Sequence, residues 1–130
     1  MNRSKGFTVV ELVIVILLIA IAGTLFFVEK AQIQQSRRDS ERKVAINAMY
    51  YALEEVYYPQ NKFYPSNIDS KVLRSVDPDL FNDPFGTKIG TEGAEYRYDP
   101  TGCSLDGKCT GYTLTVSLER EGDFTKTNRN

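Results

Sequence analysis

Histidine and tryptophan are absent from the 130 residues, and the first absence removes the side chain most often used as a general base and as a transition-metal ligand. An excess of charge is missing too: 16 basic residues against 17 acidic ones leave a net charge of -1. No strong field is available to draw nucleic acid or acidic substrate, so specific nucleic-acid binding gains no support from charge. Cysteine is scarce, with Cys103 and Cys109 the only two, both in a segment rich in Gly, Ser, Asp and Thr. In a reducing cytosol such a pair would stay as free thiols or form half of a metal site, yet no His or third Cys exists to complete four-ligand zinc coordination. On export the pair reads as a small-loop disulfide. Ser and Cys have no His to activate them, and the carboxylates fall in turns without visible pairing. No catalytic residue is assigned, and the chain reads as a non-enzyme.

What is present is a long apolar run. FTVVELVIVILLIAIAGTLFFV, Phe7 to Val28, is apolar or small at nearly every position, with Glu11 the only charge. As a helix it spans about 33 Å, enough for a bilayer's hydrocarbon core. A lone strand could not satisfy its backbone there, so the segment is expected to be a transmembrane helix. From Glu29 to Tyr58 no Pro or Gly interrupts, and Pro59 is expected to end the helix. QQSRRDSERK, Gln34 to Lys43, is polar on every side and must be solvated or packed against neighbours. Ala45, Met49, Ala52 and Val56, with Leu53 beside them, restore an apolar stripe at spacings of three and four.

Four of the chain's 5 prolines punctuate Pro59 to Gly86, which reads as an ordered loop with one short helix near Ile68 to Val76, capped by Ser66 or Asn67. Tyr96 and Tyr98 then alternate with Glu95, Arg97 and Asp99. Tyr112, Leu114, Val116 and Leu118 alternate with Thr113, Thr115, Ser117 and Glu119. Two half-buried strands around the cysteine loop predict an antiparallel hairpin. The polar tail from Glu121 to Asn130 is expected to fray. The tyrosines, at 50, 51, 57, 58, 64, 96, 98 and 112, read as packing groups whose hydroxyls reach water.

The order MNRSKG, FTVVE, unbroken hydrophobics places a small residue before the apolar core, where a conventional secretory signal places it after. This resembles the class III signal of type IV prepilins. The resemblance implies cleavage between Gly6 and Phe7 by a prepilin peptidase, N-methylation of Phe7, and a role in filament assembly for Glu11. It also implies an α+β fold, with a long N-terminal helix packed by its second half on a small antiparallel sheet. The parts would be 1–6 leader, 7–28 membrane and polymerisation helix, 29–58 amphipathic extension, and 59–130 head with loop, hairpin and flexible tail. The implied partners are other copies in a helical filament, minor pilins, the prepilin peptidase, and an inner-membrane platform driven by a cytoplasmic ATPase. The implied location is single-pass in the inner membrane before assembly, then a surface pilus or periplasmic pseudopilus. Lys30, Arg37, Arg38, Arg42 and Lys43 after the span would by charge bias favour the opposite topology to Arg3 and Lys5 before it; the leader and the cysteine pair outweigh that bias.

Glu11 has its own physical argument. A carboxylate one turn inside an apolar segment costs roughly 2.5 to 3.5 kcal/mol on insertion scales. It could meet the new amine of another copy's Phe7, a pairing that admits one stagger only. Gly23, the only helix breaker in the span, marks where the helix would melt in a filament.

Asn82-Asp83-Pro84-Phe85-Gly86 is similar to a turn of the major pseudopilins of type II secretion, in which a nearby loop can hold calcium. No cofactor is expected here: Asp79, Asp83, Asp99 and Asp106 fit no EF-hand spacing and read as solvated turn carboxylates. The cysteine pair is similar to the disulfide-bounded C-terminal region of type IV pilins, which favours a pilus subunit for adhesion, motility or DNA uptake. The alternatives are a pseudopilin and a non-polymerising membrane-anchored binding protein.

Overall fold

The computed structural model describes residues 6–130; Arg3, Lys5 and the rest of the expected leader before Gly6 lie outside the described residues. The chain divides into two compact units, Met1–Gln35 and Ser36–Asn130. A 43-residue helix, α1 (Val9–Tyr51), enters both. In the first unit its residues from Val9 to Val28 are exposed, Gly23 alone being intermediate. A helix this apolar with no protein face to bury requires a non-aqueous surrounding. α1 is continuous through Gly23 in the single chain.

In the second unit Ala45, Met49, Ala52 and Leu53 are buried as their spacing predicts, and burial of each large side chain contributes about 1.5–3 kcal/mol. Val56 departs from the stripe: it is 40% exposed, whereas Glu54 is only 5% exposed. The cause is a π-helix over Ala52–Tyr57. In an α-helix Glu54 would lie roughly 140° round from Met49, but i→i+5 turns bring a residue back beneath the one five before it. The same widening carries Val56 off the core face.

Pro59 does not end the helix. A second α-helical turn, α2 (Tyr58–Asn61), contains it, and the chain leaves at Lys62, whose left-handed φ of 65° and N–H to Tyr58 O bond of 2.8 Å close the helix. Proline's ring clashes with the i−4 carbonyl of a regular helix, and the wide turn just before it relieves that clash.

The short strand β1 (Tyr64–Pro65) comes next. The helix expected near Ile68 to Val76 is not formed. Asp69, not Ser66 or Asn67, organises a single turn there: its Oδ1 accepts from the N–H groups of Lys71 and Val72, both at 2.8 Å, and its carbonyl from Leu73 at 2.9 Å. A further turn follows, Val76 N–H to Leu73 O at 3.1 Å, and both Leu73 and Val76 are buried in the core. A 3-10 helix over Pro78–Phe81, opened by an Asp77 cap on Asp79 N–H, was not expected from the sequence.

β2 (Tyr96–Thr101) and β4 (Gly111–Val116) form the predicted antiparallel hairpin, with Tyr96 opposite Val116 and Tyr98 opposite Leu114. Between them β3 (Lys108–Cys109) pairs with β1, Cys109 opposite Tyr64. The tail does not fray throughout. β5 (Phe124–Thr127) lies along the free edge of β4, Thr113 opposite Thr127 and Val116 opposite Phe124, giving the order β2-β4-β5. β4 becomes the central strand, which is why Thr115, outward by alternation, is also buried. The second unit is thus a helix packed on small antiparallel sheets, an α+β fold.

Candidate assembly site and the charged seam of the head

The bond between Gly6 and Phe7 lies in non-helical backbone, ahead of the first helical residue, Val9. Among the described residues nothing lies within 4 Å of where a Cβ on Gly6 would be, and Phe7 is 83% exposed. A peptidase needs an accessible bond outside regular helix, and this one meets both conditions.

Glu11 already has a partner within its own chain. Its Oε2 accepts from Thr8 N–H at 3.1 Å and from the Thr8 hydroxyl at 3.2 Å, while its own N–H donates to Thr8 Oγ1 at 3.3 Å. This is a capping box: Thr8 is the N-cap and Glu11 the third helical residue, so each satisfies a backbone donor that the helix start leaves open. Thr8 was missed as a functional residue, although Thr-x-x-Glu before an apolar run is the signal for it. A carboxylate at a helix N-terminus also complements the dipole there.

The polar stretch of α1 proves to be a seam within the head. Arg42 is 1% exposed and Asp39 3% exposed. The Arg42 guanidinium faces three carboxylates: Glu119 at 3.3 Å, Asp39 at 3.5 Å and Asp83 at 3.7 Å. Arg38 adds a two-pronged pair to Glu119, both contacts at 2.6 Å. A buried cation survives only with compensation of this kind. Arg38 and Arg42 also lie over the exposed ring of Phe85, at 5.1 and 5.7 Å.

Asp83 is therefore not a solvated turn carboxylate. It is 6% exposed, accepts from Phe85 N–H at 2.9 Å and Thr87 N–H at 2.8 Å, and spends its remaining oxygen on Arg42. Asp79, Asp99 and Asp106 are exposed. Asp106 is held down to about 2, first by the Lys108 ammonium and then by the Ser104 hydroxyl. Among the described residues no three acidic or thiol groups gather as a metal-holding set. Cys103 and Cys109 are joined in a disulfide. Tyr64, Tyr96 and Tyr112 are core residues, each at most 2% exposed; burial raises the Tyr64 and Tyr96 hydroxyls to about 12 and Tyr112 further.

No curated protein and no solved structure matches the chain. Residues 1–27 match the family model described as the prokaryotic N-terminal methylation motif. With the exposed apolar helix behind it, the chain carries in those residues a class III signal like that of type IV pilin precursors, the kind of signal that a prepilin peptidase processes.

Proposed function

We propose that the chain is a structural subunit of a type IV pilus, cut between Gly6 and Phe7, methylated at Phe7 and polymerised through 7–28, with Glu11 fixing the stagger between copies. The observation that carries this reading is an exposed apolar helix beginning at a capped carboxylate directly behind an accessible Gly-Phe bond. Membrane anchoring stores the subunit, and packing against other copies replaces lipid around the helix. The Cys103–Cys109 disulfide supports export of the head. The Asp83 to Gly86 turn favours a second reading, a pseudopilin of type II secretion. Deletion scored for surface fibres, transformation and secretion separates the two. Mass spectrometry of the native N-terminus tests both: a chain starting at methylated Phe7 is expected, and one starting at Met1 overturns the assignment in favour of a tethered, non-polymerising binding protein.

A further inference from the structure

Glu54 is a buried carboxylate that the assembly site does not use, and every group that bonds it is neutral. It accepts from the Tyr112 hydroxyl at 2.8 Å, the Tyr64 hydroxyl at 3.1 Å, the Asn130 side-chain amide at 3.3 Å and the Arg129 N–H at 3.4 Å. The phenols belong to the core; the other two donors belong to the end of the tail. A buried charge without such donors is strongly disfavoured. The π-helix is what turns this side chain inward.

The tail is built to reach it. β5 buries little of its own, with Phe124 and Lys126 intermediate and Thr125 and Thr127 exposed. Its ladder to β4 and the packing of Phe124 are supplemented by Asn128 and Arg129, beyond the strand. Asn128 Oδ1 accepts from Tyr112 N–H at 3.2 Å, close over Gly111: a Cβ there would lie 2.7 Å from that oxygen and 2.9 Å from Thr101 Oγ1 of β2, so both side chains would have to shift. Arg129 then donates to the Tyr50 hydroxyl at 2.9 Å and to Glu55 at 2.8 Å.

We infer that Phe124–Asn130 is a strap latched onto the Glu54 carboxylate, a closing device that decides whether the third strand of the head is seated. When the strap lifts, Glu54 keeps its two tyrosines but loses two donors, and the outer edge of β4 loses its partner. Opening is confined to this edge, because β2, β4 and the helix share the core without it.

The test is hydrogen exchange on the full chain in detergent micelles, comparing wild type with Glu54→Gln, Gly111→Ala, and the double variant Arg129→Ala/Asn130→Ala, which removes the Asn130 donor to Glu54 and the Arg129 side-chain bonds to Tyr50 and Glu55 while keeping the Arg129 N–H. The amides of β5, Asn128 and Tyr112 should exchange about five- to tenfold faster in each variant, the factor that one or two lost hydrogen bonds carry, while amides of β2 and of α1 beyond Ala45 keep their rates. Should Glu54→Gln fail to fold, the surface double variant decides the matter, since Gly111→Ala also crowds Thr101 of β2. Unchanged β5 rates in the double variant, or equal acceleration throughout the head in it, would overturn the latch.

Discussion

Asp39, on a stretch of helix that reads as polar on every side, accepts the backbone N–H groups of Glu119 and Arg120 at 2.8 and 3.0 Å. One helical side chain thereby caps the turn that leaves β4. Arg42, a turn further along the same face, sits between Asp39, Asp83 and the Glu119 side chain. The helix, the 83–87 turn and the β4–β5 connection meet at these two residues.

Removing the cation should therefore cost far more than an ordinary helix-surface substitution. Arg42→Ala leaves Asp39 and Asp83 buried without a counter-charge, and a loss of about 3–5 kcal/mol is expected. Thermal unfolding of the full chain in detergent, followed by near-ultraviolet circular dichroism, measures it. A loss below about 1 kcal/mol would make the seam an incidental surface pair.

The same seam sets an acid limit. The Arg38 hydrogen bond, and then the charges of Arg38 and Arg42, hold the Glu119 carboxyl below its ordinary value. Its folded value lies below its unfolded one, so its contribution is present in full above the unfolded value, near about 4.3 for a glutamate, and disappears as pH falls through the folded value. Asp69, lowered by the N–H groups of Val72 and Lys71, acts in the same direction. Acid titration should show head stability falling below about pH 4, with a shallower fall in Glu119→Gln. Equal slopes in the two proteins would assign the acid sensitivity elsewhere.

The legible parts of the sequence were those governed by local pattern. The apolar run, the two strands of the hairpin and the stripe from Ala45 to Leu53 follow from periodicity alone. What stayed hidden needed tertiary partners. Nothing local marks Arg42 as buried, because its partners lie at Asp83 and Glu119, far along the chain. The π-helix reversed the roles of Glu54 and Val56, and Pro59 read as a stop only under α-helical geometry. β5 was hidden by its polarity, since its ladder partner is β4 and further hold comes from residues beyond its own end. Thr8 alone was readable and missed: the capping pair includes Glu11, whose place in an apolar run reads first as a membrane charge.

The disulfide ties a small loop. Cys109 belongs to β3 and stands opposite Tyr64 of β1, so the bridge also steadies that two-stranded sheet. For so short a loop the chain-entropy relation gives about 2 kcal/mol. Cys103→Ser/Cys109→Ser should lower stability by roughly that amount, with exchange rising first in β1 and β3. Measured stability equal to wild type would leave the bridge without a part in the fold.

Gly6→Val should accumulate uncleaved precursor in the membrane. Among the described residues nothing stands within 4 Å of a Cβ at position 6, so a defect is expected to arise at the peptidase and not from a clash with the helix or head. Immunoblotting of membranes for precursor and mature lengths reads the result. Efficient maturation would move the cleavage site away from Gly6-Phe7.

Glu11 has two roles to separate, the cap it makes now and the contact between copies assigned to it. Thr8→Val removes the hydroxyl contacts while leaving the carboxylate; Glu11→Ala removes the carboxylate while leaving the hydroxyl. Either change should fray the first turn by about 1 kcal/mol, too little to oppose insertion of so long an apolar helix. If Glu11 serves only as a cap, the two variants lose filaments equally. If its charge meets a neighbouring amine, Glu11→Ala should assemble few or no filaments from normally inserted protein, while Thr8→Val assembles at no worse than a few-fold reduced yield. Sheared-filament yield against membrane-held subunit discriminates them, and normal filaments from Glu11→Ala would remove the register argument, because no other charged side chain lies between Phe7 and Val28.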